Sequence, residues 1–393
     1  MRGMFSSRFS GELIPNRIAQ TIDRLRATGT SLLDLTDANP TRVALHYPID
    51  SLEPLANPSG LLYEPQPFGL PSAREAIAAT LARRGVPVDS NRLILTSGTS
   101  EAYSLLFKLL CDPGDEVLVP RPSYPLFEDL TRLDAVVQVP YLLEYHGRWQ
   151  IILDALVQAI TPRVRAVLIV NPNNPTGSYA NETELGAVAK VCRDASIALI
   201  GDEVFNAYQL DLDAPSVPSV LNQDVALTFS LGGLSKSAGL PQIKVGWILV
   251  HGPEELVESA LARLELICDA YLSVSTPAQH ALPALLEIGD GVSVQISERI
   301  RENYEVLKRL VTDHSGSRVL LVEGGWYAVL QVPAAWSEET LVLELLEQDR
   351  VLVHPGYFFD FPHEAFLVLS LLPEPERFLE AVRRVLARVE KLP

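Results

Sequence analysis

Between about residues 90 and 250, short apolar runs alternate with amphipathic stretches, and this alternation constrains the fold more than any other feature of the chain. The runs are RLILTSG, DEVLVP, RAVLIVN, SIALIGDE, VALTFS and KVGWILV, and stretches such as SEAYSLLFKLL and NETELGAVAKVCRDA lie between them. Strands that are apolar throughout, rather than at alternate positions, are buried on both faces. The pattern predicts an α/β unit whose mostly parallel sheet is covered by helices on both faces. At 393 residues the chain exceeds what one core supports, so a second unit is expected. After a helical stretch at 253–313 the rhythm changes to RVLLVEGGWYAVLQV, a helix at 337–348, RVLVHPGY, AFLVLSLL and a closing helix from Glu374. These describe a smaller α/β unit. The expected division is an N-terminal segment 1–45 joining the small domain, a large domain 46–275 and a small C-terminal domain 276–393.

Ligands of open parallel sheets bind outside the carboxyl ends of the strands. The polar clusters of this chain fall there: Ser97-Gly98-Thr99, Asn171 to Gly177, Asp202 and Lys236. TSGTSEAY ends a strand and opens a helix, so its free N–H groups and the Thr99 and Ser100 hydroxyls can cradle a phosphate. An ordinary N-cap is the alternative reading. NPNNPTG is a proline-fixed turn that would project the Asn174 amide into the cleft, or simply connect two elements. Asp202 ends a buried strand and needs a cationic partner, either a ring nitrogen or a structural arginine. SKSAGLPQIKVGW carries Lys236 and Lys244 and no other charge, and lysine resists burial unless paired. Lys244 is expected to open the strand KVGWILV. Lys236 follows Ser235 rather than glycine, and no GxGxxG follows a strand, which excludes a P-loop and a dinucleotide fingerprint.

Composition narrows the function further. With 32 basic and 49 acidic residues the net charge is −17, which opposes a nucleic-acid partner. Three cysteines without a CxxC pair give neither a disulfide framework nor a metal site. The N-terminus lacks an apolar signal core and no run of about 18 apolar residues occurs, so no membrane is involved and a cytoplasmic setting is expected.

A phosphate cradle, a buried acid, an amide donor, an aromatic ring at Tyr124 and Lys236 form the set that pyridoxal 5′-phosphate requires. Its aldehyde forms a Schiff base with a lysine, its ring nitrogen needs an acid, and its phosphate wants a helix terminus and a cation, here Lys244. The ordered motifs are Tyr63 with EPQPFG, TSGTSEA, RPSYP, NPNNPTG, DEVF, Ser235-Lys236, Gly246-Trp247 and a late LVLS, covering residues 36 to 370. By these motifs the chain resembles the class I/II aminotransferases of the aspartate aminotransferase superfamily, pyridoxal-phosphate enzymes of fold type I. The resemblance implies that Tyr124 stacks on the ring, Asn174 bonds its phenolic oxygen and Asp202 holds its nitrogen. Lys236 would be both Schiff-base partner and proton carrier, with Gly98, Thr99, Ser100, Ser235 and Lys244 around the phosphate. Tyr63 would reach the phosphate of a neighbouring subunit, implying a homodimer with shared sites. The expected function moves an amino group from an amino acid or amine to a keto acid. Decarboxylation, elimination or condensation on the same cofactor is the alternative. A cofactor-binding gene regulator is the third reading, opposed by the negative charge.

Four positions depart from the family. Phe205 replaces a tyrosine, Gly233 a serine, Lys244 an arginine and Val368 the arginine that clamps the substrate carboxylate. Lys244 keeps the charge but loses the bidentate fork. With Val368 in place, Arg42 in DANPTR, near Asn39 on the expected substrate side, is the candidate clamp; an ordinary surface arginine is the alternative.

Overall fold

The computed structural model describes residues 6, 8, 14–211, 218–312 and 316–391. Among them the strands of the first half are β1 (Leu33–Asp34), β2 (Leu93–Thr96), β3 (Glu116–Arg121), β4 (Val137–Tyr145), β5 (Trp149–Ile151), β6 (Val164–Val170) and β7 (Ala198–Asp202). Those of the second half are β8 (Thr228–Gly233), β9 (Gly246–His251), β10 (Arg318–Val319), β11 (Tyr327–Gln331), β12 (Val351–Leu352), β13 (His354–Pro355) and β14 (Phe366–Ser370). The helices are α1 (Arg17–Ala27), α2 (Pro71–Arg83), α3 (Thr99–Leu110), α4 (Leu126–Leu133), α5 (Leu153–Gln158) and α6 (Glu182–Ala195). They continue with α7 (Leu234–Ser237), α8 (Glu254–Asp269), α9 (Thr276–Thr312), α10 (Glu338–Glu344) and α11 (Pro375–Val389).

The central sheet has eight strands in the order β2-β9-β8-β7-β6-β3-β4-β5. The run from β8 to β4 is parallel, whereas β9 is antiparallel to both its neighbours and β5 to β4. Val117, Leu168 and Ile200 meet Leu106 of α3 and Leu264 of α8 on one face. Leu118, Val167 and Leu199, their sequence neighbours, meet Leu185 and Val188 of α6 on the other. Adjacent residues of one strand thus enter opposite helix layers, which is why the runs are apolar without alternation. Helix α6 starts on an Asn181–Glu184 capping box and stops where Ser196 turns left-handed at φ 56°.

A second, antiparallel sheet has the order β10-β11-β14-β13. β1 pairs in parallel with β12, Leu33 opposite Val351, which joins the N-terminal segment to the C-terminal unit. Helix α9 runs along both units. Its early residues Ala281 and Leu285 pack with Leu93 and Ala73 of the large unit, and its later residues Ile296, Ile300 and Leu307 with Leu369 and Phe378 of the small one.

The six runs read as strands appear as β2, β3, β6, β7, β8 and β9. Two features differ from the sequence reading. β4 and β5 were not among the expected strands: they form the sheet edge, where β4 mixes exposed and buried positions and carries Pro140 and Glu144. An edge strand needs no continuous apolar run and tolerates proline. Lys244 also does not open a strand: it is exposed and left-handed at φ 58°, ψ 53°, and β9 begins at Gly246. Among the described residues, no helix is long and apolar enough to cross a membrane and no cluster of potential metal ligands occurs.

Asn303 of α9 is fully buried and its Nδ2 donates to Leu371 O at 2.8 Å and Pro373 O at 2.7 Å, fixing the chain after β14 to the long helix. Asn303→Ala strands both carbonyls, so we expect urea unfolding to show a loss of about 1–3 kcal/mol. A loss below about 0.5 kcal/mol, the range of ordinary surface substitutions, would mean that these bonds do not hold the chain after β14 to α9.

Candidate active site

β7 and β8 are neighbours, and their carboxyl ends bring the two opposite charges of the site together. Asp202 ends β7 fully enclosed. Tyr103 Oη, on α3, donates to its Oδ2 at 2.7 Å, and the Val204 N–H to its Oδ1 at 3.2 Å. Burial pushes this carboxyl up, while the Tyr103 and Val204 bonds and the Lys236 charge pull it back down. Lys236 lies on α7, directly after β8, and keeps partial contact with solvent. Its Nζ stands 4.8 Å from the ring centre of Trp326 and 5.4 Å from that of Phe205. Burial lowers this amine to about 8, with the Asp202 charge acting in the opposite direction. At neutral pH about a tenth of it is therefore unprotonated, against less than about a thousandth for an ordinary lysine.

The cradle stands beside it. Gly98 caps α3 at φ 143°, a backbone state that side chains rarely adopt, and a Cβ there would lie 3.6 Å from Lys244 Nζ. A Cβ on Gly246 would come within 2.9 Å of Gly98 Cα and 3.0 Å of Thr96 Oγ1. The start of β9 can therefore press against the α3 terminus only as glycine, and this close approach sets Lys244 over the terminus. The Thr99 and Ser100 hydroxyls make no hydrogen bond among the described residues, while the Ser97 N–H is taken by Glu101 Oε2 at 2.6 Å. An exposed cation over the N-terminus of a twelve-residue helix fits a phosphate.

The remaining polar groups converge from other loops. Asn174 is buried, neither end of its amide bonds to the protein, and its Oδ1 is fully enclosed. The amide Nδ2, which makes no bond within the protein, is left free to donate to a ring oxygen. Tyr124 is 42% exposed, and its phenol, pushed up by burial and by the Asp202 charge, lies near that carboxylate. Phe205 packs edge-on against Trp326 at 5.2 Å. Ser235 adjoins Lys236 and is partly exposed. The structure thus gathers Gly98, Thr99, Ser100 and Lys244 at one end, and Tyr124, Asn174, Asp202, Phe205 and Lys236 at the other.

Three expected residues lie elsewhere. Tyr63 is 66% exposed and lines a surface pocket with Tyr271 and Ser273, away from its own chain's Lys236. Asn39 spends its Oδ1 on the N–H and hydroxyl of Thr41, closing a local turn. Arg42, expected to face substrate, is exposed on that turn and lines a pocket with Asp34, Asp37, Glu374 and Arg377. Val368 is fully buried opposite Val329 and His354.

Other residues of the site escaped the sequence reading. Tyr103 was available as the last letter of TSGTSEAY, one helical turn after Thr99 and so on the face toward β7. Trp326 is brought in only by tertiary packing, and no spacing announces it. Glu203, beside Asp202, is also buried, but it accepts from Ser219 Oγ at 2.8 Å, Ser230 Oγ at 2.7 Å and the Val220 N–H at 2.9 Å, and so braces the loop before β8.

Comparison with known proteins agrees with this geometry. The sequence profile described as aminotransferase class I and II matches residues 43–385. The chain is 28% identical over 383 residues to the glutamate-pyruvate aminotransferase AlaA of Escherichia coli (strain K12), covering 94% of each. It is 34% identical over 341 residues to nicotianamine aminotransferase A of Hordeum vulgare, covering 82% of this chain and 72% of that one. The alanine aminotransferase structure from Pyrococcus furiosus superposes with a TM-score of 0.87 at 25% identity, over 98% of this chain and 100% of the other.

Since the Asp202 charge raises the Lys236 amine against burial, Asp202→Asn should lower it further, below about 8 in the cofactor-free protein. The pH dependence of Lys236 acylation, read by peptide mass spectrometry, measures this. An unchanged or higher midpoint would show that the two charges do not interact.

Proposed function

The chain belongs to the class I and II aminotransferases, pyridoxal-phosphate-dependent enzymes that transfer an amino group between an amino donor and a keto acid, and we propose that Lys236 is the residue through which this one works. The carrying observation is the Lys236 amine, lowered to about 8 and set in an aromatic gap opposite a buried carboxylate. An amine partly neutral near neutral pH is suited both to attack a carbonyl and to carry a proton between two carbons. In this reading the α3 terminus with Gly98, Thr99, Ser100 and Ser235 takes the phosphate and Lys244 neutralises it. Asp202 holds the ring nitrogen, Asn174 the ring oxygen, and Tyr124 covers the ring face. When bound, pyridoxal phosphate supplies an electrophilic aldehyde and a ring that withdraws electrons from the bonds of the carbon bearing the amine.

The residues of this chain do the rest. Asp202 gains a cationic partner on binding, which removes the cost of its burial. Tyr103 orients the carboxylate by donating to its other oxygen, and Trp326 and Phe205 exclude water from Nζ. Phe205 donates nothing to the ring oxygen, so Asn174 is its sole donor from the positions named here.

The relatives named for glutamate, pyruvate and alanine support small α-amino and α-keto acids as the substrate pair. A homodimer belongs to the same reading: Tyr63 stands on an exposed apolar stretch with Leu61 and Leu62, suited to cover a second copy. So do the division into segments 1–45, 46–275 and 276–393, and a cytoplasmic setting, supported by free Cys111, Cys192 and Cys268.

Protein loaded with pyridoxamine phosphate should convert an α-keto acid to its amino acid, and borohydride should fix pyridoxal phosphate to the peptide carrying Lys236. Lys236→Ala should lose at least about 10²–10⁴-fold in turnover. Label on Lys244, or turnover retained by Lys236→Ala, would sink the assignment.

A further inference from the structure

Tyr208 is fully buried, and its hydroxyl donates to the main-chain carbonyl of Lys236. Its ring packs edge-on against Trp326 at 5.2 Å, the same indole that lies under Lys236 Nζ. Its own carbonyl accepts from the Gly325 N–H at 2.9 Å, where the chain enters β11 of the small unit. A second phenol acts on the same turn. Tyr47 Oη donates to Gly239 O at 2.7 Å, and the Gly239 N–H donates back to Lys236 O at 3.2 Å.

The helix that carries Lys236 has four residues, far too few to hold its shape unaided. The last carbonyls of any helix lack intrahelical donors, and here Tyr208 supplies one to Lys236 O, while Tyr47 holds the Gly239 carbonyl just beyond the helix. The hydroxyl absent at Phe205 is thus present three residues later, directed at the backbone of the lysine instead of at a cofactor. An ammonium at the end of a four-carbon chain is only as well placed as its Cα.

We propose that Tyr208 is a positioning residue: by holding the Lys236 carbonyl it fixes the turn that aims Nζ into the gap between Phe205 and Trp326, and through Gly325 it ties that turn to the small unit, with Tyr47 steadying the same turn through Gly239. The consequence for turnover rests on the reading of Lys236 given above. The geometric claim does not.

Tyr208→Phe keeps the ring and its packing on Trp326 and removes only the hydroxyl. Tyr141→Phe is the matched control, because Tyr141 is equally buried and its Oη donates to a main-chain carbonyl, Leu168 O, at 2.8 Å within the sheet. Three readouts are needed: the Tm of the cofactor-free proteins, the pH midpoint of Lys236 reductive methylation in the same samples, and kcat and KM of the loaded enzymes. Both variants should lower Tm by a similar few degrees, as each loses one buried hydrogen bond. Only Tyr208→Phe should move the Lys236 midpoint upward from about 8 toward the ordinary lysine range, because Nζ leaves the gap and regains water. It should also lower kcat about 10–100-fold with KM nearly unchanged, the signature of a misplaced reacting group. Tyr47→Phe should give the same pattern more weakly, and it carries the test if Tyr208→Phe does not fold. A wild-type midpoint in the folded Tyr208→Phe protein, or the same shift in Tyr141→Phe, would overturn the proposal. If wild-type protein transfers no amino group at all, the functional reading fails, while the midpoint, read without cofactor or donor, still decides the role of Tyr208.

Discussion

Asp202 ends one strand and Lys236 follows the next, so the sheet delivers a carboxylate and an amine into one enclosure with little water. Each charge is disfavoured by that enclosure and each is favoured by the other, which is the meaning of a raised carboxyl facing a lowered amine. Removing one member of such a pair typically costs about 3–5 kcal/mol, whereas replacing both by packed apolar residues is often neutral or stabilising. Stability therefore gives no reason for this chain to keep the pair. Its chemistry does: the amine is neutral often enough to react, and the acid waits for a cation that the protein itself supplies only in part.

Keeping such a pair open to a ligand requires backbone that approaches closely without filling the space. Gly98 and Gly246 touch where any Cβ would collide, and the contact lets the α3 terminus and Lys244 stand beside the lysine turn. The parallel order of β3, β6, β7 and β8 points four loops to the same edge, so one rigid sheet sets the distances among Tyr124, Asn174, Asp202 and Lys236. The loops themselves carry the reactive groups, and Glu203 braces one of them from beneath with three hydrogen bonds.

What was legible in the sequence follows from where burial is two-sided. β6 and β7 announce themselves because every residue but Arg165 is buried, and Asp202 stands out because it ends such a run. β4 was illegible because an edge strand obeys no such rule, and Lys244 was misread because the run KVGWILV has no mark at Gly246 where the left-handed turn becomes strand. Motif positions fixed by local turn chemistry, such as Gly98 and Asn174, could be named in advance. Trp326 and Tyr103 could not be assigned roles, since their contacts with Lys236, Phe205 and Asp202 join segments 90 to 121 residues apart and leave no periodic trace. Arg42 shows the opposite failure. A cation was wanted near Asn39, and the sequence could not say that its turn would leave it exposed in a pocket shared with Asp34, Asp37 and Glu374.

The small unit limits what the cleft can hold. In the antiparallel ladder Tyr327 faces Ser370 and Val329 faces Val368, so these four side chains share one face of the sheet. Tyr327 on that face lies near enough to Tyr124 and Asp37 for their charges to add to the burial that raises its phenol. Val368 is closed over completely, and its other ladder partner is His354, packed edge-on against Phe359 at 5.6 Å. Burial lowers the His354 imidazole to about 4, so it is neutral at any pH above about 5 and cannot take over the work of an arginine. β14 itself reads Phe-Leu-Val-Leu-Ser, without a cation. A substrate carboxylate consequently finds no counter-charge on this strand, and the amino donor must be held by groups from the other walls of the cleft or must carry no carboxylate at that point.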